Sequence, residues 1–439
     1  MPDRLAPGPY RVLRGEGDIE IPFYVIPFDK RGICDGPETR RDLLKQLAAG
    51  KYTDVFFFSH GWNNDWTAAI QRYEDFIHGY MKMRRDRSLP VPAGFKPLLV
   101  GIFWPSTALV FTEKEKGPQI AANEPAAVDE AIAEERREVQ ELAETLEASD
   151  AADLYELAQK TKLTADEAQR LAEIAVTFYG TGDDELSLDT AVSAEELLEI
   201  WRQAPAETDD LADLIAGGPG PETAGFLSAI DPRNVVRTLT VFKMKDRAGL
   251  VGSTGVHELL RDLLAAGDAR LHLIGHSYGG KVVLSATCAG TLPRKVHSML
   301  LLQPAVSHLS FAATVPTTSH PGGYRSALDR VENPILTTYS SHDFPLTKIF
   351  HLALRRAGDL GEAKIAAATG APPSKYAALG GFGPRESGER LLDVLDAPAR
   401  YPLDQGTRLY GIDATRTVGG HGDISNPSTW WALYNLASR

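Results

Sequence analysis

The chain has 439 residues, 43% hydrophobic and 24% charged, enough for one large core plus an insertion or for two domains. A formal net charge of −13 argues against a nucleic-acid partner, no run reaches the ~18 apolar residues of a membrane span, and the two cysteines, Cys34 and Cys288, are far apart with no metal-ligand spacing. The first residues hold no apolar signal-peptide core, so the expectation is a soluble, cytoplasmic protein with no transmembrane segment and no disulfide framework.

In chain order, residues 10–14 and 20–28 are rich in β-branched and aromatic side chains and read as strands joined to a helix over 38–49, which Gly50 closes. Residues 54–59 hold the continuous apolar run Val55-Phe56-Phe57-Phe58, the pattern of a strand covered on both faces of a parallel sheet. It leads into His60-Gly61-Trp62-Asn63-Asn64-Asp65, then a helix over 66–83, then another buried strand over 97–104. Strand and helix alternating in this way predict an α/β fold.

The composition changes near Thr112. Residues 121–210 hold 25 acidic against 6 basic side chains, a net of −19, while the rest of the chain carries +6. Helical patterns run over 128–148, 151–160, 165–179 and 194–203, two of them opened by the capping boxes Thr164…Glu167 and Ser193…Glu196. The chain therefore divides into a core part over 1–112, an inserted acidic helical region over 113–230, and a second core part over 231–439. The insertion suits a lid, a docking surface for a protein partner, or a solvated decoration. Helices over 234–245 and 256–266 lead back to the sheet, with 249–255 read as a loop leading into the second.

The strand ending in Leu273-Ile274-Gly275-His276 runs into Ser277-Tyr278-Gly279-Gly280-Lys281 and a helix. Gly275-x-Ser277-x-Gly279 between a strand and a helix is the nucleophile-elbow pattern, with the glycines allowing close backbone approach and the serine hydroxyl raised at the tip. Three further strands are read over 298–304, 334–340 and 407–413, and a helix over 427–438. A serine needs a base, and the base needs an orienting acid. Asp343 follows the end of the 334–340 strand, and His421 lies on a glycine-flanked loop after the last strand. The order Ser277, Asp343, His421 is that of elbow-type hydrolases. His342, Asp413 and Asp423 are competing candidates, and the latter two are placed less well. For an oxyanion, the Tyr278 N–H and the Trp62 N–H are the candidate donors, with Gly61 permitting the loop's twist and His60 bracing it. His276 is expected to face the sheet and is assigned no catalytic role.

On His60-Gly61-Trp62-Asn63-Asn64 and Gly275-His276-Ser277-Tyr278-Gly279-Gly280, the chain resembles the α/β-hydrolase superfamily, and within it a microbial group whose substrates are poorly defined. The resemblance covers about 1–112 and 231–439. It implies a mostly parallel eight-stranded sheet with helices on both faces. It further implies a serine hydrolase for small-molecule esters, with no cofactor and no metal. A thioesterase or amidase would use the same groups, and an interaction protein built around the acidic helices is the reading from another class.

Overall fold

A computed structural model describes residues 6–14, 19–62, 64–106, 143, 146–158, 160, 163–179, 193–195, 197–198, 232–316, 320–343, 346–347, 377–404 and 406–439. Its centre is a sheet of nine strands: β1 (Arg11–Arg14), β2 (Glu20–Pro27), β3 (Asp54–Ser59), β4 (Pro97–Phe103), β5 (Arg270–His276), β6 (Ser298–Leu302), β7 (Ile335–Tyr339), β8 (Arg390–Asp393) and β9 (Leu409–Asp413). Their spatial order is β1-β2-β4-β3-β5-β6-β7-β9-β8. Only β1 runs antiparallel to its neighbour; every other pairing is parallel.

The expected count of eight strands is corrected to nine by β8. Its four residues, Arg-Leu-Leu-Asp, lie at the sheet edge and are largely exposed, so they show none of the apolar signal that marks the covered strands.

Strand residues alternate between two cores. Val55 and Phe57 of β3, with Leu271 and Leu273 of β5, face one side. That side is covered by α1 (Pro37–Ala48) and by helices within residues 232–288. Phe56 and Phe58, with Ile274, face the other side, under α2 (Trp66–Asp86) and the C-terminal helix Pro427–Ala437. Two full apolar layers are what a central parallel strand requires, and they explain why 55–58 reads as an unbroken apolar run. At α2, Asp65 caps the helix by accepting from the Ala68 N–H at 2.7 Å.

The described part of the acidic region includes helices α3 (Ala148–Ala158) and α4 (Ala165–Tyr179). The Thr164…Glu167 capping box forms, with Thr164 N–H donating to Glu167 at 2.8 Å and Glu167 N–H donating to Thr164 Oγ1 at 3.3 Å. Leu154, Leu157, Leu171 and Ile174 gather into a separate apolar cluster with Leu197, Leu198 and Leu239. Leu239 belongs to α5 (Pro232–Val251), and α5 packs in turn on α7 (Tyr278–Cys288). The buried leucines and isoleucine of the acidic helices thus pack on one another and on α5. Most of the helix read over 128–148 and most of that over 194–203 lie outside the described residues.

The reading of 249–255 as a loop is corrected. The chain stays helical from α5 through a π-helical turn, Gly252–Val256, into α6 (His257–Ala266). Gly252 serves packing there, since a Cβ would sit 2.6 Å from the Val282 carbonyl oxygen of α7. Among the described residues no helix is long and apolar enough to cross a membrane.

Candidate active site

After β3 the chain turns back through α2 to β4 on one side, whereas β5 pairs with β3 on the other. The carboxyl ends of β3 and β5 therefore flank a topological switch point, the place where parallel α/β sheets leave a crevice. Ser59 is in register with Gly275, so the His60–Trp62 loop and the Ser277 turn leave the sheet side by side.

Ser277 caps the N-terminus of α7 with φ 54° and ψ −125°. A non-glycine residue in that region costs about 1–3 kcal/mol and persists only where its surroundings impose it. Here the surroundings are backbone: Ser277 N–H donates to Leu302 O at 3.1 Å, and its carbonyl accepts from Gly280 N–H at 2.9 Å and Ala305 N–H at 3.1 Å. The motif glycines are needed for the same close approach. A Cβ on Gly275 would lie 2.6 Å from the Gly280 Cα, and one on Gly279 would lie 2.1 Å from the Ser59 carbonyl oxygen.

Asp343 follows β7, and His421 follows β9. These two loops meet over α7. His421 Nε2 lies 2.9 Å from Ser277 Oγ, and His421 Nδ1 lies 2.8 Å from Asp343 Oδ2. Asp343 is fully buried, and its other oxygen accepts the Leu346 N–H at 3.1 Å. Three residues separated by 66 and 78 positions thus form one hydrogen-bonded series, with the serine itself only 2% exposed. The competing groups are placed elsewhere. His342 is exposed, Asp413 accepts from Thr415 N–H, and Asp423 accepts from Gly419 N–H in the loop that carries His421.

The two candidate oxyanion residues lie on different elements. Tyr278 opens α7. Trp62 is partly buried, and the backbone just before it is pressed on the elbow: a Cβ on Gly61 would be 2.6 Å from the Ser277 Cβ. His60 is fully buried beneath them. Its ring stacks on Trp104 at 5.5 Å, and Trp104 Nε1–H donates to its carbonyl at 3.1 Å. Burial pushes the imidazole down to about 4, with the Arg72 charge adding to the effect, so the ring is neutral near pH 7. It is protonated on Nδ1, which donates to Gly61 O at 2.8 Å, while Nε2 accepts the Trp104 N–H at 3.3 Å.

His276 departs from its expected placement. Its ring lies 4.9 Å from the His421 ring, and its Nε2–H donates to the His421 carbonyl at 2.8 Å. Burial, followed by the nearby Arg72 charge, holds this imidazole well below its usual range. Asn64 also goes unassigned by sequence reasoning, although it sits inside the quoted loop motif; its amide donates to Gly61 O at 3.1 Å and Trp62 O at 2.7 Å. Neither role carries a sequence signal, since an elbow histidine and a loop asparagine are ordinary strand-end and turn residues until their partners are located. Comparison of the chain with protein-family models, with curated proteins and with solved structures yields no match.

Proposed function

We propose that the chain is a serine hydrolase of the α/β-hydrolase type that cleaves carboxylic esters through an acyl-enzyme on Ser277. The observation that carries this reading is the unbroken series Ser277 Oγ, His421 Nε2, His421 Nδ1 and Asp343 Oδ2, with contacts of 2.9 and 2.8 Å at a helix N-terminus. His421 takes the hydroxyl proton as Ser277 attacks the acyl carbon. The carbonyl oxygen becomes an oxyanion held by the Trp62 and Tyr278 amides, and the positive end of α7 adds to that field. As the intermediate collapses, the alcohol leaves with the proton from His421. A water then repeats the sequence on the acyl-enzyme, with His421 as its base, and releases the acid. Asp343 keeps the His421 Nδ1 protonated, so that Nε2 is free to accept, and stabilises the imidazolium that forms.

The test is covalent labelling. A fluorophosphonate probe should label Ser277, and Ser277→Ala should remove the label and lower p-nitrophenyl ester turnover by ~10³- to 10⁶-fold. Wild-type protein that neither labels nor turns over short esters would favour the interaction-protein reading.

A further inference from the structure

Arg72 has no part in the chemistry just described, yet it touches both loops that the chemistry depends on. It stands in the second turn of α2. Its Nε–H donates to Asn64 Oδ1 at 3.2 Å, and its Nη1–H donates to the Gly422 carbonyl at 3.3 Å. Among the described residues no carboxylate lies within ion-pair distance of this guanidinium, so its hydrogen bonds go to neutral acceptors in the two loops.

What each contact fixes follows from peptide geometry. The Gly61 C=O and the Trp62 N–H belong to one trans, planar peptide unit, so they point in opposite directions. Asn64 Nδ2 and His60 Nδ1 both hold the Gly61 carbonyl, at 3.1 and 2.8 Å, and Asn64 Nδ2 also holds the Trp62 carbonyl. Fixing the first of these carbonyls aims the Trp62 N–H. Asn64 is only 2% exposed and can adopt this pose because Arg72 satisfies its remaining oxygen. On the other side, Gly422 follows His421 directly. Its carbonyl is held by Arg72, and the His421 carbonyl is held by His276 at 2.8 Å. The loop that carries the base is thus tied down at two successive peptides.

We infer that Arg72, acting through Asn64 and Gly422, is a positioning residue that fixes the oxyanion loop and the His421 loop relative to each other. The inference rests on the serine-hydrolase reading of Ser277. A guanidinium suits the task because its donors are spread in a rigid planar fork and reach two acceptors at once, whereas an ammonium is a point donor.

The experiment first establishes that a fluorophosphonate labels wild-type Ser277; absence of the label would sink the hydrolase reading itself. With that label in hand, kcat and KM on p-nitrophenyl butyrate and the rate of phosphonylation are measured for Arg72→Ala, Asn64→Ala and the double variant. Arg72→Ala should lower kcat and phosphonylation by up to about 10²-fold with KM changed by less than about threefold, as expected when reacting groups are misplaced but binding is intact. Guanidinium ion added at millimolar concentration should restore part of the loss in Arg72→Ala, which a purely structural role would not allow. In the Asn64→Ala background, removing Arg72 should cost less than it does in wild type, because the link between the loops is already cut. If Arg72→Ala does not fold, Arg72→Lys carries the test, with the same fall in kcat at constant KM but smaller. Wild-type kcat in the Arg72 variants, or losses that simply multiply in the double variant, would overturn the inference.

Discussion

Gly279→Ala tests whether the elbow and the oxyanion loop are set by backbone contact. The added methyl would lie 2.1 Å from the Ser59 carbonyl oxygen and 2.4 Å from that of His60. Ordinary contact between such atoms begins near 3.4 Å, so α7 and the end of β3 must part by about 1 Å. Both obstacles are backbone, and no side-chain rotation relieves them. Overpacking of this kind costs about 1–3 kcal/mol. The displacement also acts directly on the proposed site, because Tyr278 moves with α7 and Trp62 moves with the loop after β3. A 1 Å error in such a placement lowers turnover by about 10²-fold. Urea unfolding and p-nitrophenyl ester kinetics measure the two losses separately. Gly420→Ala is the control, since nothing lies within 4 Å of its added methyl. That variant should stay within about 0.5 kcal/mol of wild type. Wild-type stability and kcat in Gly279→Ala would refute the reasoning, as the clash would then be absorbed at no cost.

Three further outcomes are expected. Asp343→Asn should fold and yet lose up to about 10⁴-fold in turnover through the wrong His421 tautomer, while Asp413→Asn and Asp423→Asn lose far less; the reverse ranking in steady-state kinetics would move the acid to one of them. Burial holds His60, His272 and His308 each at about 4 and His276 well below its usual range, so the unfolded chain takes up protons near pH 6.5 that the folded protein refuses, until near pH 4 at His60, His272 and His308. Stability present at pH 7 should therefore fall as pH drops from 6.5 toward 4, by about 1.4 kcal/mol per pH unit for each such ring, and a urea midpoint that stays constant over that window would contradict it. Leu239→Ala should cost about 2–5 kcal/mol at the contact between α5 and the acidic helices. Proteolysis should then cut the 148–179 segment faster, and unchanged cleavage would show that Leu239 does not anchor it.

The sequence by itself determined the elements whose physics is local. The strand 54–59 with its apolar run 55–58, the strand-to-helix turn at Ser277, and the Thr164…Glu167 cap are each written in a handful of neighbouring residues, and the structure places all three where they are read. The order of Ser277, Asp343 and His421 along the chain was also legible, because groups at the carboxyl ends of parallel strands converge whatever lies between them. The edge strand β8 was not legible, since an exposed four-residue strand buries almost nothing and leaves no pattern. Nor were the partners of His276, Asn64 and Arg72. A hydrogen bond from Arg72 to Gly422 spans 350 positions, and one from His276 to His421 spans 145. Such contacts depend on strand order, and strand order follows from how the two apolar faces are covered together. Only the tertiary structure brings β3 beside β5, opens the switch point between them, and hands a helix arginine and an elbow histidine the carbonyls of a loop near the end of the chain.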